Sequence, residues 1–85
     1  MKKKPLVSIV IPTLNEGRFL GRCLAGIKKQ TYSRIEVIVV DNGSKDKTRE
    51  IARKNGARVF RHGPERAGQV NFGVKKAKGK MRIKV

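Results

Sequence analysis

Residues 37 to 48, VIVVDNGSKDKT, constrain the fold of this chain more than any other stretch. Four apolar β-branched residues run straight into Asp41, Asn42, Gly43 and Ser44, and the residues after Ser44 are mostly charged. Asn-Gly after a strand is a strong hairpin signal, but a hairpin needs a second apolar strand to return. SKDKTREIARKNG does not provide one. Its apolar residues, Ile51 and Ala52, lie one turn beyond Thr48, and Gly56 stands where a glycine closes the carboxyl end of a helix. Ser44 is placed to accept from the free amides of the first helical turn, and Asp46 suits the positive end of the helix dipole. The stretch reads as a buried strand, a short polar turn and a helix over residues 45–55. Asp41 then falls at the carboxyl end of a strand, where open α/β sheets bind ligands.

The rest of the chain repeats this rhythm. LVSIVIP (6–12) is nearly continuously apolar, as expected of a strand covered on both faces. Phe19, Leu20, Cys23, Leu24 and Ile27 form one face of a helix over 17–30. IEVIVVD is the second strand and RVFR a short third. A helix from 68 to 78 comes next, with Val70, Val74 and Ala77 on one face and Gly79 ending it. Met81, Ile83 and Val85 then alternate with Lys80, Arg82 and Lys84, the pattern of an edge strand with one apolar face, expected to lie under the third helix. The alternation β-α-β-α-β-α-β implies right-handed crossovers and a parallel sheet in the order 3-2-1, with the fourth strand beside the first.

Eighty-five residues make one small domain, spanning 1–85. No apolar run approaches the ~20 residues of a membrane span. Met1 to Lys4 have the charge of a signal-peptide start, but the apolar run behind them is short and closed by Pro12, so a cytoplasmic location is expected. A single cysteine, Cys23, excludes an internal disulfide and a cysteine-based metal site, and its register places it in the core. His62, also single, falls in a loop. Twenty-two Lys and Arg against six Asp and Glu give a net charge of +16, which attracts polyanions. A nucleic-acid or anionic-membrane module is therefore an alternative function, and a merely solvated basic surface would look the same. Four aromatic residues offer little for stacking on bases.

PTLNEGR after the first strand lacks the G-x-G-x-x-G dinucleotide fingerprint. GPERAGQV has glycines at P-loop spacing, but Gln69 and Val70 replace the Lys and Ser or Thr that hold phosphate and magnesium. What remains is two polar clusters at adjacent strand ends: Thr13, Asn15 and Glu16, and Asp41 to Ser44. An ionised carboxylate only accepts hydrogen bonds, which suits Asp41 to a ring N–H. Asp41 serving as a cap of the second helix is the alternative.

Three stretches, VSIVIPTLNEGRFLGRCL, QTYSRIEVIVVDNGSKDKT and AGQVNFGVKKAKG, together resemble the first half of the family 2 glycosyltransferases, inverting nucleotide-sugar enzymes. The resemblance covers about residues 6 to 79. It implies an α/β, three-layer, Rossmann-like parallel sheet, half of a GT-A fold, and a nucleotide diphosphate sugar as partner, most commonly a UDP-sugar. By this resemblance Pro12 and Thr13 line the base pocket with Asn15 and Glu16 beside them, and Asp41 receives the base N–H. Asn42 stands where many members have a second Asp, with Gly43 after it, and Arg66 matches a position that meets the nucleotide. Asn71 and Gly73 match the helix packed below that loop.

The resemblance fails after KAKG. There the family continues with an apolar strand ending in an Asp-X-Asp motif that holds Mg²⁺ or Mn²⁺ against the donor diphosphate. This chain reads KMRIKV, and no acid occurs after Glu65. The expectation is a nucleotide-binding half-domain with no metal or cofactor of its own, no catalytic residue and no transfer by itself, whose open sheet edge also offers a route to self-association.

Overall fold

The structure is a computed structural model, and it describes residues 4–84. The strands are β1 (Val7–Thr13), β2 (Ile35–Asp41), β3 (Arg58–Arg61) and β4 (Met81–Lys84); the helices are α1 (Gly17–Lys28), α2 (Thr48–Lys54) and α3 (Arg66–Lys76). They alternate as the sequence predicts. The four strands form one sheet in the order β3-β2-β1-β4, and every pairing is parallel. Right-handed crossovers in that order put α1 and α2 on one face and α3 on the other.

Successive strand residues point to opposite faces, so β1 and β2 feed two cores. Val7, Ile9, Ile11 and Val39 pack with Leu20, Leu24 and Ala52 beneath α1 and α2. Val10, Ile38 and Val40 pack on the other face, against Phe60, Phe72, Val74 and Ala77. Cys23 and Ile27 join the first core, as their register predicts. Phe19 does not: it is 68 % exposed, because α1 turns Leu20 and Leu24 inward and leaves Phe19 on its flank.

Helix ends differ from the sequence reading where tertiary contacts claim the terminal residues. α2 begins at Thr48 because Lys45 and Asp46 bond to the β1–α1 turn. Its carboxyl end behaves as predicted. Gly56 has φ +81, its amide bonds to Arg53 O and that of Ala57 to Ala52 O, the pairing of a Schellman motif. α3 starts two residues earlier than predicted, after an extended Glu65, and ends at Lys76 because Ala77 turns extended. Gly79 therefore does not cap α3. It is needed for a close approach, since a Cβ there would lie 2.5 Å from both Leu6 O and Ser8 Oγ. The Gly79 amide donates to Ser8 Oγ, that hydroxyl donates to Glu36, and Glu36 also takes the Lys78 amide and Arg58.

β4 lies beside β1 as expected, in the register Ile9↔Ile83. Ile83 thus shares the face of α1, not that of α3, and it is 47 % exposed. The expectation that α3 covers the apolar face of β4 is corrected: α3 packs on β1 and β2. Val85, the side chain of Met81 and residues Met1 to Lys3 lie outside the described residues. No helix among the described residues is long and apolar enough to cross a membrane.

α3 sits close to the sheet because of Gly73, where a Cβ would stand 2.3 Å from Val10 Cγ1 and 3.0 Å from Val40 Cγ2. Gly73→Ala must lift the helix or distort two buried valines. We expect a loss of about 1–3 kcal/mol in urea unfolding with an unchanged denaturant slope. A midpoint equal to that of the wild type would show that α3 is not seated this tightly.

Candidate functional site

The two polar clusters meet because the β1–β2 register pairs Thr13 with Asp41 at the carboxyl edge of the sheet. Asp41 is fully buried. Its Oδ1 accepts from the Thr13 hydroxyl at 2.7 Å and from the Ser44 hydroxyl, and its Oδ2 accepts from the Ser44 amide at 2.7 Å. The Arg49 guanidinium stands 3.7 Å from Oδ2. Burial opposes ionisation, but Ser44, Thr13 and Arg49 together outweigh it and hold the Asp41 pKa below the ordinary carboxylate value. Asp41 is therefore no cap of α2. The carboxylate at the start of α2 is that of Asp46, one residue before the N-cap Lys47; the Asp46 Oδ1 accepts the Thr48 amide at 2.9 Å. Ser44, predicted to cap that helix, is spent on Asp41 instead.

The β1–α1 and β2–α2 turns are laced together. The Asn15 amide donates to Ser44 Oγ at 2.8 Å, and Asn15 Oδ1 accepts the Lys45 amide at 2.8 Å. This needs Asn15 at φ 51, a left-handed conformation that Asn tolerates better than most residues. The Glu16 amide donates to Thr48 Oγ1 and the Gly17 amide to Asp46 Oδ2, so Asp46 ties the starts of both helices. Gly43 has φ +73, and the space a side chain would fill is taken by the Arg61 guanidinium.

The structure brings the eight sequence-predicted residues to one sheet edge in two groups. Pro12, Glu16 and Arg66 line a cavity of about 100 Å³ with Ile11, Phe19, Leu20 and Cys23. Thr13, Asn15, Asp41, Asn42 and Gly43 form the adjoining turns, where Asn42 Nδ2 donates to Pro64 O at 3.0 Å. Sequence reasoning missed Gln69, treating it only as a failed P-loop lysine. Gln69 is buried, and its Nε2 donates to Thr13 O at 3.1 Å and Val40 O at 2.8 Å, pinning the first turn of α3 across both strand ends. The available signal was a long amide one turn before Gly73, on the stripe of α3 that faces the sheet. A larger cleft of about 580 Å³ opens at the other end of β2, between Ile27, Tyr32, Glu36 and Arg58. It holds none of the predicted residues, and Glu36 is engaged there by Ser8, Arg58 and Lys78.

The carboxylates present do not fit a divalent cation. Among the described residues no three of His, Cys, Asp and Glu stand together as ligands. Asp41 and Asp46 are committed to the turns, and Glu16 Oε1 faces the Leu14 amide at 3.3 Å.

The model of the family described as glycosyl transferase family 2 matches residues 8–83. An uncharacterised glycosyltransferase of Rickettsia typhi is 41 % identical over 78 residues, covering 88 % of this chain and 24 % of the relative. A mannosyltransferase of Pyrobaculum calidifontis, solved with GDP-Man and Mn²⁺, superposes with a TM-score of 0.80 at 27 % identity, over 94 % of this chain and 26 % of that one. Glucosyl-3-phosphoglycerate synthase of Mycobacterium tuberculosis, solved with Mn²⁺, UDP-Glc and phosphoglyceric acid, gives a TM-score of 0.80 at 25 % identity, over 94 % of this chain and 33 % of that one. The chain thus spans a quarter to a third of the length of these proteins.

Because the Asp41 pKa is lower folded than unfolded, its contribution is fully present above the unfolded value, about 3.9, and is lost as pH falls through the folded one. Glu36, lowered despite its burial by Ser8, Lys78 and Arg58, acts in the same direction. The urea midpoint is expected to be level from pH 7 to 5 and to drop below about pH 4. Asp41→Asn should lower the unfolding free energy at pH 7 by about 1–3 kcal/mol, seen as a lower urea midpoint, and flatten the acid limb. An acid limb identical to that of the wild type would show that Asp41 is not the group responsible.

Proposed function

The chain belongs to glycosyl transferase family 2, and from that premise we propose that it binds the nucleotide of a nucleotide-sugar donor, of the UDP type, at the carboxyl edge of β1 and β2. The observation that carries this reading is the convergence of Pro12–Glu16, Asp41–Gly43 and Arg66 on one edge of a parallel sheet, in a chain matched by the family model over residues 8–83. Relatives solved with UDP-Glc and with GDP-Man support a nucleotide sugar as the ligand class.

In this proposal the base lies against Pro12 and Thr13, with Asn15 and Glu16 on its rim. Asp41 Oδ2 receives the ring N–H. That oxygen has one partner at hydrogen-bond distance, the Ser44 amide, while Arg49 stands farther off, with its side chain 35 % exposed. Arg49 swings aside as the base enters. Asn42 and Gly43 shape the turn beneath, and Arg66 meets the diphosphate, where a guanidinium can make two parallel bonds. The Mg²⁺ or Mn²⁺ that the family uses would need carboxylates other than those described here. Transfer needs a stabilised leaving diphosphate and a base for the acceptor hydroxyl. We assign neither role to any of the eight residues, so in this proposal these 85 residues supply nucleotide binding and transfer no sugar alone. The alternative of a polyanion-binding module draws on the net charge; of the four aromatic residues, Phe60 and Phe72 pack on each other and against the core.

Titrating UDP into ¹⁵N-labelled protein is expected to move the amides of Thr13, Asp41 and Arg66, with a dissociation constant between roughly 100 μM and a few millimolar, about 4–6 kcal/mol. Arg66→Ala should weaken UDP more than uridine. Shifts scattered over the basic surface and abolished by salt would favour the polyanion reading instead. Release of UDP from UDP-glucose with Mn²⁺ should stay at background, and metal-dependent turnover would overturn the division of labour proposed here.

A further inference from the structure

Asn42 has a role that the base pocket does not use. Its backbone amide donates to Thr13 O at 3.0 Å, so its main chain belongs to the strand ends. Its side chain reaches away from them, to the loop that joins β3 to α3, where Nδ2 donates to Pro64 O. The carboxamide lies flat against Gly63: a Cβ on that glycine would stand 1.8 Å from Asn42 Oδ1 and 2.5 Å from Cγ. The loop is thus cut to receive this side chain. Two residues beyond Pro64, α3 begins with Arg66.

We propose that Asn42 is a positioning residue, whose carboxamide holds the β3–α3 loop in place and thereby sets Arg66 for the nucleotide diphosphate. The proposal rests on the nucleotide reading above and adds to it the chemical reason for an amide at this position. Pro64 O can only accept. An asparagine offers it an N–H, whereas an aspartate of the same shape would set a second acceptor against it and a negative charge beside the diphosphate. The loop is also tied at its start, where the His62 amide donates to Asp41 O at 2.9 Å and the His62 ring stacks on Phe72, and beyond it the Gln69 carboxamide fixes the first turn of α3. Asn42 holds the stretch between these ties, at Gly63 and Pro64, next to Arg66. With all of them in place Arg66 is ordered before the ligand arrives, and binding does not have to immobilise the loop.

Relaxation measurements and UDP titrations on the wild type and four variants decide the matter. In the wild type, backbone order parameters at Gly63, Glu65 and Arg66 should be near those of the rigid core, about 0.85. Asn42→Ala and Asn42→Asp should both lower them, toward about 0.6, and both should weaken UDP about three- to tenfold, the span of one lost hydrogen bond. Gly63→Ala should do the same from the other side of the contact, by expelling the carboxamide. Combining it with Asn42→Ala should add almost nothing, because the collision is already gone. Unchanged loop order in Asn42→Ala overturns the proposal. So does weakening confined to Asn42→Asp, which would be simple charge repulsion, and so does additivity in the double variant. If the wild type binds no UDP, the nucleotide reading fails, while the order parameters still decide whether Asn42 holds the loop.

Discussion

Asp41 lies fully buried between the hydroxyls of Thr13 and Ser44, at the point where β1 and β2 end side by side. Taking an ionised carboxylate out of water costs several kcal/mol unless donors replace the water. Every donor that does so here comes from an element this site needs: the last residue of β1, the β2–α2 turn and α2 itself. The charge can stay buried only if the strands keep their register and the turn keeps its shape. The lacing of Asn15, Ser44, Lys45 and Thr48 is a consequence, because Ser44 Oγ serves Asp41 as donor and Asn15 as acceptor at once. The same hydrogen bonds that keep the carboxylate ionised out of water thus join the two turns at this sheet edge.

A second carboxylate does the same at the other end of the pair. Ser8 is the register partner of Glu36 and donates to it at 2.6 Å, as Thr13 does to its partner Asp41. The two clamps lie on opposite faces of the sheet, one beneath the α3–β4 turn and the other beneath the β2–α2 turn. A slip of one residue would break both and turn each apolar face outward, so hydrophobic pattern and polar pairing enforce one register. Acids are scarce in this chain, six against twenty-two bases. Two of the six close the β1–β2 pair and a third, Asp46, joins the starts of α1 and α2. Arg49 and Arg58 stand against two of these acids, at Asp41 and Glu36.

The order and type of every element were legible in the sequence, because apolar runs such as IVIP and VIVV and the helical face of Leu20, Cys23, Leu24 and Ile27 report burial directly. So was the closure of α2 by Gly56, a local requirement for positive φ. The start of α1 at Gly17 was also legible, but the starts of α2 and α3 were not. Ser44 looked like a cap by its position, and only a contact 29 residues away in sequence, the Asn15 amide, shows that its oxygen is engaged elsewhere. Phe19 was placed inward on spacing alone, which fixes a face to within about one residue. The flank it occupies faces a small cavity shared with Pro12, Glu16 and Arg66.

What the sequence by itself determined is the alternating α/β architecture, the membership in glycosyl transferase family 2 and the sheet edge at which the polar residues collect. These depend on periodicity and on short motifs, which are properties of neighbours along the chain. The tertiary structure alone decided what those polar side chains do: Asp41 buried, Gln69 spanning two strand ends, Asn42 turned to the loop before α3, and Ile83 on the face of α1 and not of α3. Each of these is a pairing between residues from 22 to 74 apart in sequence. A hydrogen bond specifies its partner by distance and angle, and for such separations both are set only when the sheet register and the helix positions are in place.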